Sequence, residues 1–254
     1  MIAIVTGASS GMGREFVKKL DACEALDEIW VIARRRERLE ELKNEVKTPL
    51  KTVCLDLTEK ESIENYSLML ASEKPKVGFL VNCSGYGKFG HSDVVSLEDT
   101  NGMIDLNVKA LTDITLITLP YIQKGGHIIE LCSLSSFQPV PYLNVYAASK
   151  AYVLSFSRGL NAELRGRDIH VTAVCPGWVQ TEFFARAETS QKDAVIYFNH
   201  MYQAKDVIDT AYRDAKKNKD VSIHGFPVKF QVFLVKLLPH SLVMKIWLKQ
   251  QKHR

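Results

Sequence analysis

Tyr146 and Lys150 stand four residues apart, with Ser133 upstream at the end of an apolar run. A phenol has an ordinary pKa near about 10, so a tyrosine that trades protons at neutral pH needs a cation to favour its phenolate. Residues i and i+4 share a helix face, and a helix through Tyr146-Ala-Ala-Ser-Lys150 would set the ammonium beside the phenol. Ser133, where a strand would end, adds a hydroxyl able to hold the oxygen of a carbonyl or alcohol. Acid, cation and orienting hydroxyl together make a site for carbonyl/alcohol redox chemistry. A Tyr-x-x-x-Lys pair alone recurs by chance on surface helices, so the reading depends on its company.

The company begins at Thr6-Gly-Ala-Ser-Ser-Gly-Met-Gly13. Gly7, Gly11 and Gly13, with Ser9, Ser10 and Met12 between them, allow a tight turn and close backbone approach to a pyrophosphate at a helix N-terminus. The spacing is Thr-Gly-x-x-x-Gly-x-Gly rather than Gly-x-Gly-x-x-Gly, and it resembles the short-chain dehydrogenase/reductase family. Further signatures follow in that family's order: Asn82-Cys83-Ser84-Gly85, Asn107, and Pro176-Gly177-Trp178-Val179-Gln180-Thr181. Cys83 and Ser84 replace an asparagine and an alanine, and Ser136 stands where many members carry glycine. Neither departure removes a reacting group.

The resemblance implies an NADP(H)-dependent oxidoreductase acting on CH-OH donors, with a Rossmann-type fold. It implies Asn107, Ser133, Tyr146 and Lys150 as the catalytic set, Tyr146 being the acid/base and Lys150 also bonding the nicotinamide ribose. Asn107 would bend its helix and hold a water in a relay to Lys150. Val179 and Thr181, after Pro176 and Gly177, would meet the nicotinamide carboxamide. Asn82 to Gly85 would line the cofactor, and Asp56-Leu57 the adenine, although an aspartate there could equally cap the helix starting near Glu59. Subunits would join through the helix over 145–165 and the one before it, as a homodimer or homotetramer.

Cofactor choice is argued at the end of the second strand, Val31-Ile-Ala-Arg34-Arg35-Arg36. An acid there would accept the ribose hydroxyls of NAD and repel a 2′-phosphate, but Ala33 takes that place. Arg34 can form charge-assisted bonds to the phosphate, so NADPH is expected over NADH. Arg36, and Arg35 with it, are read as the start of the next helix.

The elements that must position these residues form one α/β domain. Short apolar runs alternate with amphipathic stretches, as in repeated βα units. About seven strands are expected near 2–6, 28–33, 51–55, 77–82, 127–133, 169–175 and 221–223. Helices are expected over 11–21, 36–46, 59–72, 97–119, 145–165, 189–200 and 204–218, covering both faces of a doubly wound parallel sheet. Ligands bind beyond the carboxyl ends of such strands, where Gly7, Asn82, Ser133 and Pro176 all fall. The 254 residues are 46% hydrophobic, enough for a single core. A net charge of +4 gives no sign of nucleic-acid binding. The five cysteines lack metal spacing and read as reduced core thiols; no metal site is expected. A first strand starting at Ile2 leaves no room for a leader, and no run of about 18 apolar residues suggests a span, so a cytoplasmic location is expected, with membrane-peripheral contact as the open alternative.

The pocket wall is expected from the loop 134–142, with Ser135 and Tyr142, and from Trp178, Phe183 and Phe184. That wall suits an apolar ketone or secondary alcohol of steroid, bile-acid, fatty-acyl or aliphatic type. Residues 1–225 form the domain, and 226–254 a basic amphipathic extension divided by Pro239. From Val221 onward no acid occurs, while Lys229, Lys236, Lys245, Lys249, Lys252 and Arg254 alternate with apolar side chains. The extension is read as a lid or subunit contact, with an anionic membrane surface as the sharper alternative. A nucleotide-sensing protein without turnover, and a membrane-peripheral protein acting through its tail, remain the alternative functions.

Overall fold

The computed structural model describes residues 1–252; Arg254, the last cation of the tail, and its neighbour lie outside the described residues. The first half runs β1 (Ile2–Thr6), α1 (Gly11–Cys23), β2 (Glu28–Ala33), α2 (Arg36–Leu42), β3 (Leu50–Cys54), α3 (Lys60–Glu73) and β4 (Val77–Asn82). Next come α4 (Leu97–Ile104), a wider helical turn over Asp105–Ala110, α5 (Leu111–Thr118), β5 (Ile122–Leu131), α6 (Asn144–Leu164) and β6 (His170–Val174). The chain closes with β7 (Trp178–Gln180), α7 (Phe183–Ala187), β8 (Met201–Gln203), α8 (Ala204–Ala215), β9 (Val221–Ser222), α9 (Phe226–Leu237) and α10 (His240–Gln250).

Alternation within the strands dictates the layers. Ala3 and Val5 of β1 enter one apolar core, and Ile2 and Ile4 the other; Val31 and Trp30 of β2 divide the same way. Two apolar faces require helices on both. Phe16, Val17 and Leu20 of α1, Leu39 and Leu42 of α2, and Ile208 and Ala211 of α8 cover the first face. Tyr66 and Leu70 of α3, Ile114 of α5, and Leu160 and Leu164 of α6 cover the second. The sheet is parallel throughout, in the order β3-β2-β1-β4-β5-β6-β9, the Rossmann-type arrangement expected. Strand order reverses between β1 and β4, which opens the crevice where such sheets bind ligands.

Several expectations need correction. Residues 189–200 are not helical. Thr189 Oγ1 accepts from Gln191 N at 3.2 Å, and Gln251 Oε1 accepts from the Ile196 and Tyr197 amides at 2.8 Å each, so side chains satisfy backbone groups that a helix would pair internally. A two-stranded sheet of β7 and β8, absent from the expectation, flanks this segment. The helix expected over 97–119 is interrupted by the wider turn at Asp105–Ala110, and β5 begins earlier, with a register shift against β4 between Val77 and Phe79. Cys132 and Cys175 are core thiols, but Cys23, in the last turn of α1, and Cys54, ending the edge strand β3, are exposed because those ends stand outside the packed layers. No helix among the described residues is long and apolar enough to cross a membrane.

Candidate active site

A cavity of about 1180 Å³ opens along the carboxyl ends of the strands, and nearly every residue singled out from the sequence lines it. Its floor is the glycine turn. Gly7 has φ +68° and stands back to back with the loop after β4, where a Cβ would lie 2.8 Å from the Cys83 carbonyl carbon and Ser84 nitrogen. A Cβ on Gly13 would lie 2.3 Å from Gly7 O, so only glycine lets α1 start this close to β1. The Ser10 side chain makes no capping bond to the first amides of α1, and no acid stands in its first turn, which leaves these amides to an anion. The cradle fits a dinucleotide pyrophosphate.

Arg34 and Asp56, assigned separately from the sequence, meet: Arg34 Nη1 donates to Asp56 Oδ2 at 3.1 Å. Asp56 Oδ1 also accepts from Thr58 N at 3.1 Å and Thr58 Oγ1 at 2.7 Å, so the aspartate caps a local turn and holds the arginine at once. Burial works against its charge, but the Thr58 bonds and the Arg34 guanidinium prevail and hold the carboxyl below its ordinary range. Arg35 belongs to the site rather than only to the helix start. It donates to Ser9 Oγ (3.1 Å), to Ser10 Oγ (2.8 Å) and to Glu182 Oε2 (2.8 Å), tying the glycine turn to the segment before α7. Alternation along β2 could have signalled it, since successive side chains leave a strand on opposite sides.

The carbonyl-handling end lies across β5 and α6. Ser133 follows β5 and caps a short helical turn over Leu134–Phe137; its Oγ accepts from Ser135 N at 3.2 Å. Ser136 Oγ accepts from Ser133 N at 3.2 Å, so the serine in the glycine position pins the backbone of Ser133. Tyr146 lies in the first turn of α6 and packs on Phe183, ring centres 5.4 Å apart. Gly87, not singled out from the sequence, seats that ring: a Cβ there would lie 2.9 Å from Tyr146 Cδ2.

The expected stacking of ammonium on phenol does not dominate. Lys150 is buried and donates from Nζ to Leu131 O at 2.7 Å, with Nζ 5.8 Å from the centre of the Tyr146 ring. Burial pulls Lys150 below its ordinary pKa and pushes Tyr146 up to about 12, while the Ser133 hydroxyl works the other way on the phenol. Desolvation outweighs the cation because the strand-end carbonyl holds the ammonium.

Asn107 is buried inside the wide turn and does not line the cavity. Its Nδ2 donates to Tyr86 O at 2.8 Å and Ser149 Oγ at 3.1 Å, and its Oδ1 accepts from Tyr86 N at 3.0 Å. Its observed work is to fasten the loop after β4 to α6; a relay to Lys150 has no direct contact behind it. Gly85 is squeezed between the two, since a Cβ there would meet Asn107 Oδ1 at 2.9 Å and Lys150 Nζ at 3.4 Å. Asn82 is likewise in the floor rather than the wall. Its Nδ2 donates to Thr115 Oγ1 at 2.9 Å and Glu130 Oε1 at 3.3 Å, placing an unforeseen acid, wholly buried, beneath the site.

Ser135, Trp178, Phe183 and Phe184 line the cavity as expected; Tyr142 does not. Tyr142 adopts φ +66° and sets its ring edge-on to His91, 4.6 Å between centres, so its backbone turns it away. Gln138, from the loop expected as wall, also lines it, together with Arg186 and the tail residues Gln231, Trp247 and Gln250. Arg186 lies 3.9 Å over the Tyr86 ring. Trp247 Nε1 donates to Pro141 O at 3.0 Å, holding α10 on the loop that follows Ser133. Among the described residues no cluster of metal-ligating side chains occurs.

Comparison with known proteins gives a single direction. A family model described as short chain dehydrogenase matches residues 1–192. An NADP-dependent 3-hydroxy acid dehydrogenase of Escherichia coli is 35% identical over 187 residues, 72% of this chain and 75% of that one. An uncharacterized oxidoreductase of Staphylococcus epidermidis is 32% identical over 207 residues, 77% of this chain and 89% of that one. Among solved structures, a short-chain dehydrogenase from Sphingobium yanoikuyae in complex with NADPH superposes with a TM-score of 0.79 at 25% identity, covering 95% of this chain and 94% of that one.

Proposed function

The chain belongs to the short chain dehydrogenase family, and from that premise we propose that it is an NADP(H)-dependent oxidoreductase interconverting an apolar ketone and its secondary alcohol. The observation that carries this is the convergence of Ser133, Tyr146 and Lys150 on the cavity that the glycine turn floors. The named cofactors of the Escherichia coli and Sphingobium relatives support NADP(H), as does the absence of an acid at Ala33.

When bound, the dinucleotide supplies a hydride to the carbonyl carbon or accepts one from the carbinol carbon. Ser133 Oγ holds the substrate oxygen, and Tyr146 Oη gives it a proton as negative charge develops there. A phenol held up to about 12 stays protonated at neutral pH and can still donate to an emerging alkoxide, while its phenolate is scarce. In the reverse direction Lys150 must favour the phenolate, and its ammonium, already desolvated, acts with little screening. Arg34 and Arg35 take the 2′-phosphate and the neighbouring anionic groups. Phe183, Phe184, Trp178 and Trp247 exclude water around the reacting carbon. The extension serves as the cleft's lid through Gln231, Trp247 and Gln250, and the chain pairs with copies of itself through α5 and α6, where Leu116 and Tyr152 are exposed.

A second reading concerns the substrate alone. A carboxylate-bearing hydroxy acid, the type named for the Escherichia coli relative, would find Arg186 as its cation. A panel of apolar ketones and 3-hydroxy acids, each with NADPH and NADH, separates the two. The reductase reading requires turnover of the ketones that Tyr146→Phe lowers by at least a hundredfold while nucleotide binding persists; near-normal turnover in that variant would sink it.

A further inference from the structure

Helix α9 is apolar on the wrong side. Val228, Val232 and Val235 face inward and are buried, as one stripe of an amphipathic helix should be. The opposite stripe, at spacings of four, three and four, is Phe226, Phe230, Phe233 and Leu237, which are 78%, 51%, 57% and 66% exposed. Phe226 and Phe230 stack on one another at 6.3 Å in the open. Helix α10 continues the pattern: Val243 and Trp247 turn inward, while Leu242 and Ile246 are exposed. An apolar helix face of this extent is stable only under a cover, and no segment of the described chain supplies one.

We infer that the outward face of α9 and α10 docks on an anionic lipid bilayer, so that the substrate reaches the cleft from the membrane. Charge selects this occupant. From Val221 to the end of the chain there is no acid, while Lys229, Lys245, Lys249 and Lys252 border the apolar stripe as exposed cations and Lys236 reaches back over the Phe137 ring, 5.2 Å from its centre. Short cationic helices with aromatic and leucine side chains on one side lie in the headgroup layer, with their rings among the acyl chains and their lysines on lipid phosphates. A second copy of the chain is disfavoured by symmetry. A two-fold contact would bring the stripe against itself and set these lysines against their own counterparts, with no acid in either extension to neutralise them.

The same helices connect surface to chemistry. Gln231 of α9 and Trp247 and Gln250 of α10 line the cavity from within, so the element that rests on the bilayer also walls the cleft. A carbonyl compound dissolved in lipid would pass beside these helices without crossing water. This part of the inference rests on the reductase reading above; the docking itself does not.

The test uses the full chain with vesicles of phosphatidylcholine alone and of phosphatidylcholine mixed equally with phosphatidylglycerol, at physiological salt. The protein should sediment with the mixed vesicles and not with the neutral ones. Phe230→Glu/Phe233→Glu and Lys245→Glu/Lys249→Glu should each lower the bound fraction at least tenfold, with unchanged melting temperature and unchanged turnover of a water-soluble ketone. Wild-type protein left in the supernatant by the mixed vesicles overturns the inference. So does a bound fraction that neither pair of substitutions lowers, or a change in molar mass by light scattering in the phenylalanine variant without vesicle binding by the wild type, which would make the stripe a subunit contact. If the protein binds as expected but no ketone is turned over in water, the reductase reading fails and the docking stands.

Discussion

Replacing Glu130 by Gln should raise stability at pH 8 and leave it nearly unchanged at pH 5. Glu130 sits on β5 under the site with no exposed surface; Oε1 accepts from Thr115 Oγ1 at 2.8 Å and Asn82 Nδ2 at 3.3 Å, and Oε2 is buried without a partner. Thr115 Oγ1 has a second acceptor, Leu111 O at 2.7 Å, so one hydroxyl proton faces two acceptors and a carboxylic acid at Glu130 supplies the missing one. Burial pushes this carboxyl from 4.5 to about 7, against the opposing bonds from Thr115 and Asn82 and the charge of Lys150. The folded state therefore binds this proton more tightly than the unfolded chain. Its contribution is complete below pH 4.5 and is lost as pH rises through about 7. The shift corresponds to about 3 kcal/mol, roughly three quarters of it disappearing between about pH 5 and 8. Gln has no charge to bury, and its amide N–H can supply the donor that the ionised carboxylate lacks. Buried His127, held down to about 4 mainly by desolvation, contributes the opposite trend below its ordinary pKa, but it is present in both proteins and cancels in the difference. Thermal melts followed by circular dichroism should show the variant gaining roughly 5–10 °C over wild type as pH goes from about 5 to 8. Melting temperatures that run parallel across that range would refute the buried-acid account.

Three further outcomes follow from the geometry. Arg34→Ala should raise the Michaelis constant for NADPH at least tenfold more than that for NADH, the loss of a charge-assisted bond of about 1.5–3 kcal/mol; equal effects would make Arg34 a partner of Asp56 only. Gly13→Ala should abolish nucleotide binding, read by tryptophan fluorescence titration, because the new Cβ would sit 2.3 Å from Gly7 O; retained affinity would mean that α1 can retreat from β1. Light scattering at micromolar concentration should give a multiple of 28.7 kDa, and Leu116→Glu at that exposed position should lower it; a monomeric wild type would contradict pairing through α5 and α6.

The chemistry-bearing residues were legible because their types and order are local facts. Tyr146, Lys150 and Ser133, the glycine turn and the arginines after β2 announce acid, cation, anion cradle and phosphate contact before any fold is known. Short apolar runs between amphipathic stretches likewise marked the strands and implied helices on both faces of a parallel sheet. Tertiary structure decided what each group is held against. Whether Lys150 lowers Tyr146 depends on Leu131 O, whether Arg35 belongs to the site depends on Ser9, Ser10 and Glu182, and whether Tyr142 meets a substrate depends on a φ of +66°. The loop at 189–200 reads as a helix until Gln251, more than fifty residues on, takes its amides. The tail shows the division most plainly. Its lysines and aromatics are visible in the sequence, but a helix with two apolar stripes does not say which one turns inward; the packing of Val228, Val232 and Val235 against the domain settled that and left the phenylalanines outside. Composition fixes what a side chain can do, while desolvation and partner geometry, which depend on residues distant in sequence, fix what it does.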